Sequence, residues 1–166
     1  MSQNRNTNVK SKLQNKVKKQ KDKIFQLRNR YKTIMNNSGM PVVIWNRNSQ
    51  IVDWNRDAAR LFGWEKKEII NENIVEFLIS DADKDFVESL LTKNLDNIKT
   101  KSIHKSKTKN NNVICCEWHN IPVTDFNSKV TEVVSVIKEY LSSEMKDNNL
   151  VYYDPLTKVY NRRYYE

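Results

Sequence analysis

The sequence predicts an α+β domain in which helices cover one face of a five-stranded antiparallel sheet, with a long helix in front of it. Three observations predict this class. Apolar residues in the first 35 positions recur with a helical period, and two short β-branched runs follow them. Helical segments then fill the middle of the chain, and the last third holds three strand-like runs. This order is typical of a sheet that is covered on a single face.

The long helix is expected over residues 9–35, which contain no Gly or Pro. Its apolar residues recur at alternating steps of four and three, and an average step of 3.5 is typical of the seam of a left-handed coiled coil. We therefore expect a parallel homodimer, although a single amphipathic helix folded back on the domain would show the same spacing. The seam consists of Leu13, Val17, Ile24, Leu27, Tyr31 and Ile34, with Gln20 as its polar break.

Most of the positive charge lies in this first helix. The chain has a formal net charge of +9, and residues 1–32 hold eleven Lys or Arg and one acid, Asp22, for a net +10. The remainder is close to neutral, at about −1. A basic segment of this kind is compatible with binding to nucleic acid or to an anionic membrane surface. Few aromatic residues and no Gly lie between these basic residues, which argues against nucleic acid as a partner.

A hairpin opens the domain. Residues 41–46 and 50–54 are short β-branched and aromatic runs, and the turn-forming residues 47–49 separate them. Asn55 then stands where a helix would begin and Gly63 where it would end. We expect an N-cap and a C-cap at these two positions.

Further helices are expected in the middle of the chain. Residues 65–70 and 73–79 have the pattern of short helical turns, and the polar residues 80–83 are expected to cap a longer helix over about 84–93. Three strand-like runs follow, each separated from the next by a polar turn, and an exit helix is expected after them at about 139–150. The runs are 98–106, 113–123 and 129–137, and the turns are 109–112 and 125–128.

Three stretches of the sequence resemble a PAS domain. They are residues 35–45 (MNNSGMPVVIW), residues 51–64 (IVDWNRDAARLFGW) and residues 116–125 (CEWHNIPVTD), and the resemblance covers about 31–140. It implies an antiparallel sheet with the strand order 2-1-5-4-3. It also implies a pocket between the sheet and the helices that holds a small ligand or cofactor.

Six residues in these stretches are candidates to line that pocket. The alternative for the aromatic ones is ordinary core packing, which these spacings also favour, and the alternative for Asn55 is its role as a helix cap. The candidates are Trp45, Trp54, Asn55, Leu61, Phe62 and Trp118.

The sequence departs from the PAS pattern at the end of the last strand. Residues 138–140 (KEY) stand where Asp-Ile-Thr is common, and Ser128 stands where a Gly is frequent. The usual contact between that Asp and the exit helix is therefore not expected.

Residues 154–165 (DPLTKVYNRRYY) resemble the DxLTxLxNRRxF signature that opens GGDEF domains, which are diguanylate cyclases. The resemblance implies an entry turn and a first helix that anchor the linker and take no part in the chemistry. Phosphoryl transfer needs acidic metal ligands and a loop close to the phosphates, and neither follows here, so we expect a truncated domain without cyclase activity. The matching residues are Asp154, Leu156, Thr157, Asn161, Arg162 and Arg163.

No cofactor is identified by the sequence. Neither His104 nor His119 lies on the helix at 84–93, where haem-binding PAS domains commonly place the iron ligand. Cys115 and Cys116 lie on a late strand, and the cysteine motif of flavin photoreceptors is missing. Haem and photoreceptor-type flavin are thus disfavoured. Adjacent strand residues point to opposite faces, so the two cysteines cannot share a disulfide or a metal and are expected to be reduced packing residues.

Together these patterns predict a cytoplasmic sensory and dimerisation module that regulates a diguanylate cyclase output, which makes cyclic di-GMP. No spanning apolar run or signal peptide occurs. Two alternatives stay open: a stand-alone PAS binding module that heterodimerises with related sensors, and a basic adaptor for nucleic acid or membranes. The expected parts are a basic helix at 1–30, a PAS domain at 31–140, a linker helix at 141–153 and the start of a GGDEF domain at 154–166.

Overall fold

The computed structural model describes residues 2–140, with side chains from residue 10 onward. The chain forms two compact units, of which the first ends at Ser38 and the second begins at Gly39. The first unit contains one helix, α1 (Ser2–Asn36), which confirms the long N-terminal helix. All six seam residues are exposed on it, by between 42% (Tyr31) and 63% (Ile34).

The second unit is built on a five-stranded sheet in which every neighbouring pair of strands is antiparallel. The strand order is β2-β1-β5-β4-β3, as the resemblance implied. Three pairs of strands that are consecutive in the chain are neighbours in the sheet (β1 with β2, β3 with β4, and β4 with β5), and β1 also pairs with β5. Strands β2 and β3 form the two edges of the sheet. The strands are β1 (Val42–Asn46), β2 (Ile51–Trp54), β3 (Thr100–Lys107), β4 (Val113–Thr124) and β5 (Val130–Tyr140).

Four helices and one turn of 3-10 helix connect β2 to β3. Asn55 caps the first of them, because its side-chain oxygen accepts a hydrogen bond from the backbone N–H of Ala58 at 2.8 Å. Gly63 ends the same helix in the left-handed conformation, with φ of 80°. The helices are α2 (Arg56–Phe62), α3 (Lys66–Ile69), α4 (Ile74–Leu78) and α5 (Lys84–Leu95), and the 3-10 turn is Asp81–Asp83.

The start of α5 differs from the prediction that residues 80–83 cap it. Residues Asp81–Asp83 form a 3-10 turn of their own, which Ser80 precedes, and Asp83 makes no side-chain capping bond to α5. The Asp83 carboxylate instead accepts hydrogen bonds from Ser80 Oγ at 3.2 Å and from the backbone N–H of Lys105 at 2.8 Å. Asp83 therefore ties this turn to strand β3.

The end of the domain also differs from the prediction. An exit helix was expected from about residue 139, whereas β5 continues to Tyr140, with Glu139 opposite Cys116 and Tyr140 opposite Cys115. Strand β4 begins at Val113, so residues 138–140 still find backbone partners on it. The rest of the expected exit helix, the linker at 141–153 and the residues at 154–166 lie outside the described part of the chain.

The core lies between one face of the sheet, here called the inner face, and the helices α2 to α5. Its largest side chains are fully buried and come from both layers. No helix in the described residues is both long enough and apolar enough to cross a membrane. The main core residues are Val43, Trp45, Ile51, Phe62, Leu78, Cys116, Trp118, Val133 and Ile137.

Candidate ligand cavity

A small cavity lies between the inner face of the sheet and the helical layer. Its volume is about 10 Å³, which is about enough for one water molecule. The sheet contributes most of the polar lining, and the segment from α4 to α5 contributes only aliphatic side chains. The lining residues are Trp45, Ser102, His104, Trp118, Asn120 and Ser135 from the sheet, and Ile74, Ile79, Val87, Leu90 and Leu91 from the helical side.

Polar side chains on the sheet form a chain of hydrogen bonds along one wall of the cavity. Trp45 Nε1 donates to Ser135 Oγ at 2.9 Å, and Ser135 Oγ donates to Asn120 Oδ1 at 2.7 Å. Asn120 Nδ2 in turn donates to Thr100 Oγ1 at 3.1 Å. This chain crosses from β1 through β5 and β4 to β3, so it fixes the positions of these side chains relative to one another.

His104 and Trp118 also line the cavity from the inner face of the sheet. The two rings are stacked, with centroids 5.4 Å apart and an angle of 21° between their planes. Trp118 Nε1 donates to Ser106 Oγ at 3.2 Å, and His104 Nδ1 lies 3.4 Å from Ser102 Oγ. The strand period of two places Ser102, His104 and Ser106 on the inner face together.

The second ring nitrogen of His104, Nε2, is buried and has no hydrogen-bond partner among the described residues. Burial disfavours the charged imidazolium and lowers the pKa of His104 to about 4, while the negative charge of Asp83 acts in the opposite direction. The ring is therefore neutral at pH 7.

A second polar cluster lies on the outer face of the sheet, around Glu117 of β4. Its carboxylate accepts hydrogen bonds from Tyr140 Oη at 2.6 Å and from His119 Nε2, and it pairs with Lys101 Nζ at 3.1 Å. Burial alone would raise the pKa of the Glu117 carboxyl, but these three donors together hold it below its usual value. Glu117 therefore ties β3 and the end of β5 to the central part of β4.

The comparison with known protein families decides what kind of domain this is. Residues 29–139 match the sequence profile described as the PAS fold. The chain belongs to the PAS family. The match ends at residue 139, so the resemblance of residues 154–165 to a GGDEF domain lies outside both the matched and the described residues. None of the curated proteins matches the sequence significantly.

Solved PAS structures share the fold at low sequence identity. The PAS domain of a protein from Colwellia psychrerythraea is 16% identical, with a TM-score of 0.62, over 69% of this chain and 96% of that one. The PAS domain of an HTR-like protein from Haloarcula marismortui is 14% identical, with a TM-score of 0.61, over 74% and 99%. The Rhodobacter sphaeroides LOV protein is 11% identical, with a TM-score of 0.62, over 72% and 70%. Likeness at this level shows the fold alone.

The PAS structure separates the six pocket candidates into two groups. Trp45 and Trp118 line the cavity. Trp54 and Phe62 pack behind it in the core, with ring centroids 5.5 Å apart and with Phe62 6.1 Å from Trp118. Leu61 is only partly buried and packs against this core.

Asn55, the sixth candidate, holds the backbone and does not line the cavity. Besides capping α2, its side chain accepts from the backbone N–H of Val42 at 2.9 Å and donates to the carbonyl of Met40 at 2.8 Å. These bonds tie the start of β1 to the start of α2. The prediction of Asn55 as a cap is therefore confirmed by the geometry.

Sequence reasoning missed the polar half of the PAS cavity. Ser102, His104, Asn120 and Ser135 line it, yet none of them was a candidate. A signal was present in β3, where inward Ser102, His104 and Ser106 alternate with the outward residues Lys101, Ile103, Lys105 and Lys107. Strand alternation of this kind indicates a polar inner surface, but only if the inner face of the strand is known.

The cysteines occupy different environments, as expected for neighbours on a strand. Both are free thiols; Cys116 is buried on the inner face, and Cys115 is partly exposed. Burial raises the pKa of the Cys116 thiol to about 12, so the group stays protonated. His119 is on the outer face with Glu117 and does not line the cavity.

Proposed function

We propose that the chain is a cytoplasmic sensory and dimerisation module of a signalling protein whose output is a diguanylate cyclase. The observation that carries this proposal is the segment at 154–165, which resembles the opening of a GGDEF domain and follows the PAS domain after the expected linker at 141–153. A PAS domain at this position would supply the sensor, and the cyclase would make cyclic di-GMP from two GTP molecules.

Dimerisation through α1 is supported by its exposed seam. Leu13, Ile24 and Ile34 are each more than half exposed on the helix of the first unit. Pairing with a second copy would remove the seam side chains from water. Each large aliphatic side chain that becomes fully buried would stabilise the dimer by about 1.5–3 kcal/mol. The net +10 of residues 1–32 opposes this pairing at low salt.

Signal transfer is supported by the route from the cavity to the end of β5. Ser135 lies on β5 and is hydrogen-bonded to the cavity wall through Trp45 and Asn120. Five residues further along the same strand, Tyr140 is held by Glu117. A change in the cavity would therefore shift β5 and the segment that follows it, and in a dimer would alter the spacing of two output domains.

The proposal is tested with the protein as it occurs in its source cells. The species that carries this sequence is isolated and incubated with GTP and Mg²⁺, and cyclic di-GMP is measured. We expect synthesis by that species and none by the purified chain of 166 residues. A source-cell species without synthesis would contradict the cyclase output and favour the alternative of a stand-alone PAS module that heterodimerises.

A further inference from the structure

The positions that flank the apolar seam of α1 are basic. In a heptad labelled a to g, the seam residues occupy a and d, and a partner helix is also contacted by the residues at e and g. Within residues 13–34, five of the six e and g positions hold Lys or Arg, and none holds an acid. These five, here called the flanking residues, are Lys16, Lys21, Lys23, Arg28 and Arg30.

The flanking residues and the seam lie together on the surface of α1. All five flanking side chains are exposed, and none of the salt bridges among the described residues includes a residue of this helix. Leu13, Ile24 and Ile34 of the seam are 58%, 61% and 63% exposed. An apolar row bordered by positive charge on both sides is therefore open to a partner.

A second copy of the chain matches the seam but does not match the flanking residues. In a parallel pair, a residue at g lies near the e residue of the next heptad on the other helix. Lys16 would thus face Lys21, and Lys23 would face Arg28. In an antiparallel pair e faces e and g faces g, and these contacts also join like charges. Like charges repel, so the flanking residues weaken self-pairing at low salt.

A helix with acidic residues at its e and g positions would match both parts of this surface. It would bury the same seam and would place a carboxylate where a second copy places Lys or Arg. Charges at e and g set the choice of partner in coiled coils, because unlike pairs attract and like pairs repel. The flanking residues of α1 therefore specify an acidic partner helix.

Other features of α1 favour a partner helix over a membrane or a nucleic acid. Gln20 interrupts the seam, and one polar seam residue sets the register of paired helices at a cost in stability. Phe25 is 65% exposed but lies off the seam, whereas a helix on a membrane buries its aromatic residues with its apolar face. The row directly opposite the seam holds no Lys or Arg that could contact phosphates. It consists of Asn15, Asp22, Asn29 and Asn36.

We propose that α1 binds an amphipathic helix of another protein that has an apolar heptad seam and acidic residues at the positions flanking it. This inference rests on the proposed function, because it takes α1 as the dimerisation helix. It adds the charge pattern of a partner. Both partners use one seam, so such a helix competes with the second copy and thereby controls the dimer.

The test uses the whole chain of 166 residues and two fluorescently labelled peptides that span residues 10–36 of the same sequence. The first, called the flank-acid peptide, carries Lys16→Glu, Lys21→Glu, Lys23→Glu and Arg28→Glu. The second, called the outer-acid peptide, carries four changes at positions b and c, namely Lys12→Glu, Lys18→Glu, Lys19→Glu and Lys32→Glu. Both peptides keep the seam and have the same net charge, so they differ only in where the acids lie.

Fluorescence anisotropy measures the affinity of the chain for each peptide at low and at high salt. In about 0.05 M NaCl we expect the flank-acid peptide to bind about 100-fold more tightly than the outer-acid peptide. Four contacts between the helices change from repulsion to attraction, and each contributes a few-fold. In about 0.5 M NaCl the difference should shrink to about tenfold or less, because exposed charges are screened.

Charge reversal in the chain itself checks the direction of the effect. A chain that carries the four changes of the flank-acid peptide should bind that peptide about 100-fold less tightly than the natural chain does, and should bind the outer-acid peptide more tightly. Leu27→Gln in the chain should weaken the binding of both peptides, because both need the seam. These side chains are exposed on α1, so the changes should leave the PAS domain folded.

Three results would overturn the proposal: equal affinity for the two peptides, unchanged affinities in the charge-reversed chain, or tighter binding to a DNA duplex or to phosphatidylserine vesicles than to the flank-acid peptide. Preference for the flank-acid peptide without cyclic di-GMP synthesis by the source-cell species would refute the cyclase output and leave this inference standing. Synthesis by that species together with equal affinity for the two peptides would refute only this inference.

Discussion

Tyr140 Oη donates a 2.6 Å hydrogen bond to Glu117 Oε2, and so the last described residue of β5 is tied to the neighbouring strand β4. PAS domains commonly carry Asp-Ile-Thr at the end of the last strand, and this chain has Lys138, Glu139 and Tyr140 there. The Tyr140–Glu117 bond therefore holds the domain exit in a chain that lacks the usual Asp.

The contribution of this bond can be measured by a double-mutant cycle. Tyr140→Phe removes only the hydroxyl group, and Glu117→Gln removes the negative charge of the acceptor. Each single change should lower the free energy of unfolding by about 1–2 kcal/mol, with a coupling energy of about 1 kcal/mol between them. Urea unfolding of the four chains gives the coupling. If the losses in the free energy of unfolding from the two single changes simply add in the double variant, the hydrogen bond does not hold the two strands together.

His104 predicts a specific dependence of stability on pH. Its pKa is about 4 in the folded chain, compared with 6.5 for an ordinary histidine, so the unfolded state binds more protons between these values. Stability is then fully present above pH 6.5 and declines as the pH falls toward 4, by about 3 kcal/mol in total. The decline should be visible in urea unfolding from pH 7 to pH 5, where most carboxyl groups are still ionised.

His104→Gln is the control for this titration, because glutamine carries no proton in the same range. The slope between pH 7 and pH 5 should largely disappear in this variant. Asp83 is the acid whose charge acts on His104, and the Glu117 pKa lies below its ordinary value, so loss of that carboxylate contributes at lower pH. If the slope is unchanged in His104→Gln, the fall in stability between pH 7 and pH 5 does not come from the burial of His104.

Asn55 joins three parts of the backbone with one side chain. Its oxygen accepts from Val42 and Ala58, and its amide donates to Met40. Asn55→Ala should lower the free energy of unfolding by about 3 kcal/mol, because it removes a helix cap and leaves buried backbone groups unpaired. Asn55→Asp keeps the acceptor and should cost less. A loss below about 1 kcal/mol for Asn55→Ala would contradict the role of Asn55 as the anchor of β1.

The seam of α1 predicts a dimer with a defined contact row. Leu27→Gln should weaken self-association by about tenfold or more, since an aliphatic side chain is lost from each copy. Phe25→Gln is the matched control, because Phe25 is 65% exposed but lies off the seam and should leave association nearly unchanged. Sedimentation equilibrium measures both. Equal effects of the two changes would contradict the seam.

Salt separates this dimer from the alternative of a basic adaptor. Two helices that each carry a net +10 in residues 1–32 repel one another, so the dimer should become tighter between 0.05 and 0.5 M NaCl. Binding of the same segment to nucleic acid or to anionic vesicles would instead weaken steeply with salt.

The sequence predicts features that depend on local chemistry and on family resemblance. The hairpin around 47–49 follows from its turn residues, and the caps at Asn55 and Gly63 follow from residue types that suit those backbone positions. The strand order could be stated only through the PAS resemblance, because alternation along a strand does not reveal its neighbours.

The features that could not be predicted depend on contacts between residues on different elements of the fold. His104 becomes a cavity residue because β3 pairs with β4 in a register that places it opposite Cys116 and under Trp118. The strand character of Glu139 and Tyr140 depends on how far β4 extends. The Asp83 contact with Lys105 joins residues 22 positions apart. The local sequence does not reveal these pairings, and the alternation in β3 does not by itself show which face of the strand is the inner one.

The proposed cyclase output is tested by the intact mass of the protein that carries this sequence in its source cells, compared with the 19.7 kDa of the chain of 166 residues. We expect a substantially heavier species that contains this chain and a complete GGDEF domain. A species of 19.7 kDa alone would contradict it and would leave a PAS module that acts by binding to other proteins.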